Sequence, residues 1–338
     1  MPPPPSRPTR RWHRASERLT TAVASTAADT GPEPLAARTR PSVLRRIWWS
    51  DHLAGWGFVS PSVLLIGLFG LVPVVWAFVL SFQHNDLTTG GTWVGMANYR
   101  QLLQDPMFRH AVRNTLVYTL VFVPVCIFGS LLVAAALNRR VRGITFYRLA
   151  VFIPVVTSTV ATAIMFNWLL DPDYGMVNGV LAKIGIPAQG FFRDPHEALM
   201  SIVAMTVWGW LGFGVIIYLA ALQSVPGELL EAAAIDGCSR WRAFWRVEVP
   251  LLAPTTLFLV IWLTINALQL FDEIYVTTKG GPVGATTVLV YYLYEQAFMF
   301  FHGGYASAIA YVLFLAILVV TVVQLTVGRR LSYQQRRP

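Results

Sequence analysis

Six apolar runs, each long enough to cross a lipid bilayer, constrain this chain more than any other feature. A helix crossing a ~30 Å hydrocarbon core needs ~20 residues at 1.5 Å rise. The runs at roughly 56–82, 112–137, 144–170, 199–223, 254–277 and 303–327 all qualify. The expected fold is all-α: a polytopic membrane protein with six transmembrane helices. Charged residues make up 13% of the chain, about half of the ~25% expected of a soluble domain, which agrees with burial in lipid. A seventh apolar stretch, VLVYYLYEQAFMFF at 288–301, is shorter and contains Glu295, so it reads as a re-entrant or interfacial helix.

The basic residues sit in short blocks beside the apolar runs rather than along an aromatic-interleaved groove, so the net charge of +9 points to membrane orientation and not to nucleic acid. With both termini inside, 20 of the 26 Lys and Arg fall in inner segments and six outside, which predicts cytoplasmic termini. Residues 1–45 are rich in Pro, Arg, Thr and Ala and poor in large aliphatics, and read as a disordered basic cytoplasmic tail. Residues 46–330 form the expected membrane domain, and 331–338 a short C-terminal tail. Cys126 and Cys238 lie at different expected depths, so no disulfide framework is readable.

One inner segment, ELLEAAAIDGCSRWRAFWRVEVPLLAP at 228–254, places three arginines and four acids between the fourth and fifth runs. Pro226 suits a first helical turn, and Glu228 favours the positive end of the helix dipole. Gly237 stands where a left-handed residue would close that helix. Ser239 then caps a second helix with Trp241, Phe244 and Trp245 on one face, and Pro250 and Pro254 lead into the fifth span. A helix, a glycine turn and a surface helix would thus protrude from the membrane domain, either as a docking element or as a solvated connection.

The spacing Glu231-Ala232-Ala233, then Gly237, then Val247, Val249 and Pro250 resembles the EAA loop of binding-protein-dependent ABC transporter permeases. The family's pattern is EAA, three residues, G, nine residues, then I-x-L-P, and here valines replace the Ile and Leu. GMANYRQLLQDPMFRHAVRNTL (95–116), RGITFYRLAVFIP (142–154), DPDYGMVN (171–178), FRDP (192–195) and LQLFDEIYVTTKGGP (268–282) are similar to the carbohydrate-uptake branch. The loop around Asn98 and Tyr99 resembles the first permease subunit of the usual heterodimeric pair.

The resemblance implies a permease subunit of an ATP-driven importer of a sugar or oligosaccharide, in the bacterial cytoplasmic membrane. Its implied partners are a second permease, two copies of an ATPase subunit and an extracytoplasmic solute-binding protein. Glu231, Ala232, Ala233, Asp236, Gly237 and Pro250 become the expected coupling residues. The chain has no G-x-x-x-x-G-K-[ST] stretch, so ATP and Mg are expected on the partner ATPase, with no cofactor in this chain. No H-E-x-x-H or G-x-S-x-G occurs, so a membrane-embedded enzyme lacks catalytic motifs. An importer of another polar solute such as glycerol phosphate, or an ATP-independent secondary transporter, are the alternatives.

Polar groups inside spans are costly and tend to face a pathway or another helix. Asn266, Gln269, Asp272 and Glu273 recur at helical spacing in the fifth run and predict one polar stripe, the expected solute path. Amides beside aromatics suit a sugar's hydroxyls and C–H faces, and Asn167, Trp208, Trp210 and Tyr275 are further candidates. Asn266 and Gln269 equally suit holding helices together, while Asp272 and Glu273 equally suit contact with a binding protein or water near the outer surface. Gly209, Gly212 and Gly214 permit close helix approach or a local break, and Pro124 and Pro154 are expected kinks.

Overall fold

The computed structural model describes residues 51–86, 90–139 and 142–334. The basic tail expected over 1–45 lies outside the described residues, as do 335–338 of the expected C-terminal tail. Residues 331–334 continue the last helix.

Contacts divide the chain between Phe69 and Gly70. In the first unit the described part is α1 (Asp51–Ile66) and the start of a π-helical turn, Gly67–Leu71. Every residue from 55 to 66 is exposed, as suits a lipid-facing helix.

The second unit begins with α2 (Val72–Ser81) and a two-stranded antiparallel hairpin, β1 (Gln83–Asn85) and β2 (Gly91–Trp93), with Gln83 opposite Trp93. There follow α3 (Ala97–Gln104), α4 (Pro106–Leu137), α5 (Ile144–Val156), α6 (Thr159–Leu169), α7 (Met176–Lys183) and α8 (Ala198–Gln223). Next come α9 (Gly227–Ile235), α10 (Arg240–Ala243), α11 (Val249–Leu251), α12 (Ala253–Leu268), α13 (Asp272–Thr277), α14 (Leu289–Tyr294) and α15 (Gly303–Gln334).

Among the described residues, five helices are long and apolar enough to cross a membrane: Gly55–Ser81, Pro106–Leu137, Ala198–Gln223, Ala253–Thr277 and Gly303–Gly328. The third run expected at 144–170 is not one straight span. It is the pair α5 and α6, bent by 104°, which makes a sixth crossing only if the two are counted together. Thr157 and Ser158 take extended backbone, with ψ of 136° and 135°. Pro154 has removed one backbone donor just before, and the β-branched Val155, Val156 and Thr157 are weak helix formers. By contrast, α4 runs uninterrupted through Pro124. The 288–301 stretch forms α14 and a π-helical turn, Glu295–Met299, with Val288, Leu289, Tyr291, Tyr292 and Gln296 buried.

The core is centred on α4 and α8, whose Tyr118, Phe122, Ile202, Met205 and Tyr218 are almost fully buried. Small residues set the spacing. A Cβ on Gly212 would stand 2.2 Å from the Val151 carbonyl oxygen of α5, so only glycine permits that approach. Hydroxyls tie the helices: Tyr118 Oη donates to Thr206 Oγ1 and Tyr218 Oη to Thr256 Oγ1, each at 3.0 Å.

Asp105 joins three elements at one end. It caps α4 by accepting from Met107 N at 2.8 Å, with Pro106 in the first turn, and its Oδ2 accepts from Tyr292 and Tyr305, each at 2.5 Å. Burial pulls this carboxyl upward, but the two phenols and the backbone N–H groups of Met107 and Phe108 hold it below the usual carboxylate range.

Candidate functional site

The charged segment at 228–254 folds as a helical hairpin. Pro226 occupies the N-cap of α9 with extended backbone, and Glu228 lies in the first turn. Gly237 has φ +74°, and two hydrogen bonds close the helix around it: Gly237 N to Ala234 O at 3.1 Å and Cys238 N to Ala233 O at 2.9 Å. This is the Schellman closure, in which a left-handed residue turns the chain back and satisfies the last carbonyls. A Cβ on Gly237 would meet nothing within 4 Å, so glycine is needed there for backbone angle and not for space.

No residue of α9 is buried. Glu231, Ala232 and Asp236 are exposed and Ala233 half-buried, while Ile235 is 87% exposed. Ser239 accepts from Arg242 N at 3.4 Å and starts α10. The expected regular second helix is instead α10, a π-helical turn over Phe244–Glu248, and α11, in whose first turn Pro250 sits without needing its missing N–H. Phe244 is buried while Trp241 and Trp245 stay exposed, their three rings 5.2–6.1 Å apart. Burial pushes the Glu248 carboxyl up, and Arg240 opposes that shift.

The second region lies where the fifth run breaks. The single polar helix face expected over 266–273 does not form. Helix α12 ends at Leu268, Gln269 and Phe271 leave helical geometry (φ −102°, ψ 14° and φ −144°, ψ −58°), and α13 starts afresh at Asp272. Asn266, Gln269, Asp272 and Glu273 nevertheless come together, lining a cavity of about 320 Å³ with Tyr118 and Trp210. A second space of about 310 Å³ shares Thr159, Trp210 and Glu273 with the first and is walled by Pro154, Thr157 and Trp262. Both broken runs therefore open onto adjoining spaces that meet at Glu273. Irregular backbone at membrane depth is tolerated where it lines a cavity, and broken helices commonly mark solute sites. Asn266 Nδ2 donates back to Trp262 O at 2.8 Å, and Gln269 is exposed.

The other expected path residues stand apart from these two cavities. Asn167 Nδ2 donates to Val276 O at 3.4 Å, tying α6 to α13. The Trp208 ring lies 5.5 Å from that of Phe166, and Tyr275 stacks at 5.4 Å on Phe271. Of the glycines in α8, Gly209 lines the second cavity while Gly212 and Gly214 serve close approach.

The stretches that carry the resemblance meet in space. Asn114 Nδ2 donates to Gly284 O and Thr287 O, and His110 Nε2 donates to Gly284 O at 3.1 Å, pinning the turn that follows Gly280 and Gly281. Asn98 Nδ2 donates to Ser81 O and Gln83 O. Arg193 pairs with Asp171 at 2.7 Å and Asp173 at 2.8 Å, joining DPDYGMVN to FRDP. Burial raises Asp171, but the backbone N–H groups of Asp173 and Tyr174 together with Arg193 bring its carboxyl below the usual range. No sequence pattern announced these pairings, because each links residues far apart in the chain.

Apolar spans around a polar cavity, with an exposed helical hairpin between two of them, define a membrane transport protein rather than an enzyme. Residues 114–333 match the family described as binding-protein-dependent transport system inner membrane component, and the chain belongs to that family. It is thus a multi-pass permease subunit of the inner membrane. It is 37% identical over 303 residues to the lactose transport system permease protein LacF of Rhizobium radiobacter, covering 87% of this chain and 99% of that one. It is 34% identical over 297 residues to the arabinooligosaccharides transport system permease protein AraP of Bacillus subtilis, covering 86% and 94%. Its fold is similar to a chain in the crystal structure of a bacterial ABC transporter involved in import of the acidic polysaccharide alginate, with TM-score 0.75, 24% identity and coverage of 84% and 99%.

Proposed function

We propose that this permease imports a sugar or oligosaccharide by alternating access. The bent α5–α6 pair counts as the third of six spans, both termini are cytoplasmic, and α9 is the element that couples to a separate ATPase. A second permease, two ATPase subunits carrying ATP and Mg, and a solute-binding protein complete the machine. The cargo reading draws on the sugar-named relatives, and on a cavity that sets the amides Asn266 and Gln269 beside Trp210.

The observation that carries the coupling assignment is α9, in which no residue is buried and which Gly237 closes at φ +74°. A helix held rigidly at a turn and left uncovered can be seated in a cleft of a partner and move the spans as that cleft closes. Driving a two-state bundle from 1:99 to 99:1 takes ~5.5 kcal/mol of differential binding, which ATP and the binding protein jointly supply. Gly237→Asp tests the assignment: it strains the turn by about 1–3 kcal/mol and misdirects α9 while touching no core residue. Uptake should be abolished with membrane insertion intact, and normal uptake would remove α9 from the coupling role.

A further inference from the structure

The two adjoining spaces at the helix breaks are lined by carboxyl groups and by no basic side chain. Neither lining contains a Lys, Arg or His. Glu273 lines both spaces and Asp272 lines one. No ion pair involves either acid among the described residues. The charged group nearest in chain to Glu273 is Asp272, of the same sign. The walls also carry aromatic rings, with Trp210 shared by both spaces, Trp262 and Phe213 in one, and Tyr118, Phe122 and Phe271 in the other.

Ile274 carries the packing of α13 and is fully buried, while its neighbour Glu273 is partly open and turned to the cavities. An unpaired carboxylate is costly at membrane depth and, where present, marks a pathway. A narrow space with low-dielectric walls and one sign of charge focuses that field on whatever enters. Aromatic faces add to the same preference, since their π-clouds attract ammonium groups and pack against the C–H faces of sugar rings.

We propose that Glu273 makes this cavity a charge filter. It admits neutral saccharides, favours those carrying a protonated amine, and turns away those carrying carboxylate, sulfonate or phosphate groups. The cargo class rests on the cavity being the solute path; the charge preference of the cavity itself does not.

The test uses the assembled importer in membranes with Thr159→Cys, a position exposed in both spaces, in a Cys238→Ser background. Cys126 is 1% exposed and stays, and the chain without Thr159→Cys supplies the blank. Modification rates are measured with a trimethylammonium and a sulfonate methanethiosulfonate, each divided by its rate with a small free thiol. The cation should react at least about tenfold faster than the anion, the scale expected of a unit charge within roughly 8 Å at intermediate dielectric. Glu273→Gln should cut that ratio at least threefold. Raising ionic strength from about 0.01 to 1 M, which shortens the screening length from roughly 30 to 3 Å, should lower it in the parent without any substitution at 273. A ratio near one in the parent, or one unmoved by both Glu273→Gln and salt, overturns the proposal. Unchanged uptake by an Asn266→Leu, Gln269→Leu importer would overturn the cargo class separately, because the path reading would then have failed while the reagent ratio stood.

Discussion

The helical hairpin at 228–254 and the polar cavity are built by opposite means. The hairpin is local: Pro226, Gly237 and Ser239 set its start, turn and restart within 14 residues, and each acts on backbone a few positions away. The cavity is assembled from afar. Its wall needs the break at Thr157 and Ser158, the break at Gln269 to Phe271, and the Tyr118 face of α4, brought together by helix packing. A single turn angle can therefore disturb the hairpin with the fold intact, whereas the cavity follows the packing of the whole bundle.

The sharpest way to break that comparison is Gly212→Val. Its Cβ would drive into the Val151 carbonyl oxygen, and neither helix backbone can yield without parting α5 from α8. The expected result is loss of most folded protein, seen as a collapsed yield of monodisperse complex; Gly237→Asp should leave that yield unchanged. Equal yields from both substitutions would erase the distinction.

Next in size is Asn266→Leu with Gln269→Leu. Uptake should fall by an order of magnitude or more while ATP hydrolysis stimulated by the loaded binding protein persists, since the hairpin is untouched. Transport kinetics equal to the parent's would take these residues out of the path.

Asp105→Asn is smaller and tests packing away from both regions. It weakens the acceptor for two phenols and a helix cap, a loss of about 1–3 kcal/mol. Because the folded carboxyl titrates below its usual value, its contribution is fully present above about pH 4 and lost as pH falls through the folded value. The variant should melt earlier at pH 7 and show a flatter acid limb, measured by thermal unfolding from pH 3 to 7.

The smallest effect is expected from Arg193→Met. Arg193 and Asp173 are largely solvated, and the buried Asp171 keeps its backbone N–H donors from Asp173 and Tyr174, so the melting temperature should change by an amount equivalent to about 1 kcal/mol. A larger loss would show that this loop is as deeply built into the fold as the cavity.

What the sequence disclosed follows the same division. Five of the six span positions, the exposed loop, the left-handed Gly237 and the Ser239 cap were legible, because apolar length and turn chemistry act locally. The polar residues of the fifth run were found, but as one helix face. Phe271 leaves helical geometry in an apolar stretch that gives no propensity signal, so the break went unread. Pro154 pointed to a kink and understated it: the chain turns by 104° three residues later. Proline at 124 suggested a second kink, and α4 continues as one helix through it. The ties from Asp105 to Tyr292 and Tyr305 span nearly 200 residues, beyond the reach of any periodicity.

In the proposed mechanism, α9 is the surface through which a separate ATPase drives these spans. Ile235→Cys, in the Cys238→Ser chain, reports on it directly, because the parent side chain is 87% exposed here. A water-soluble maleimide should label it rapidly in the permease alone, and at least tenfold more slowly once the ATPase subunits are bound. Equal labelling rates with and without them would contradict the claim.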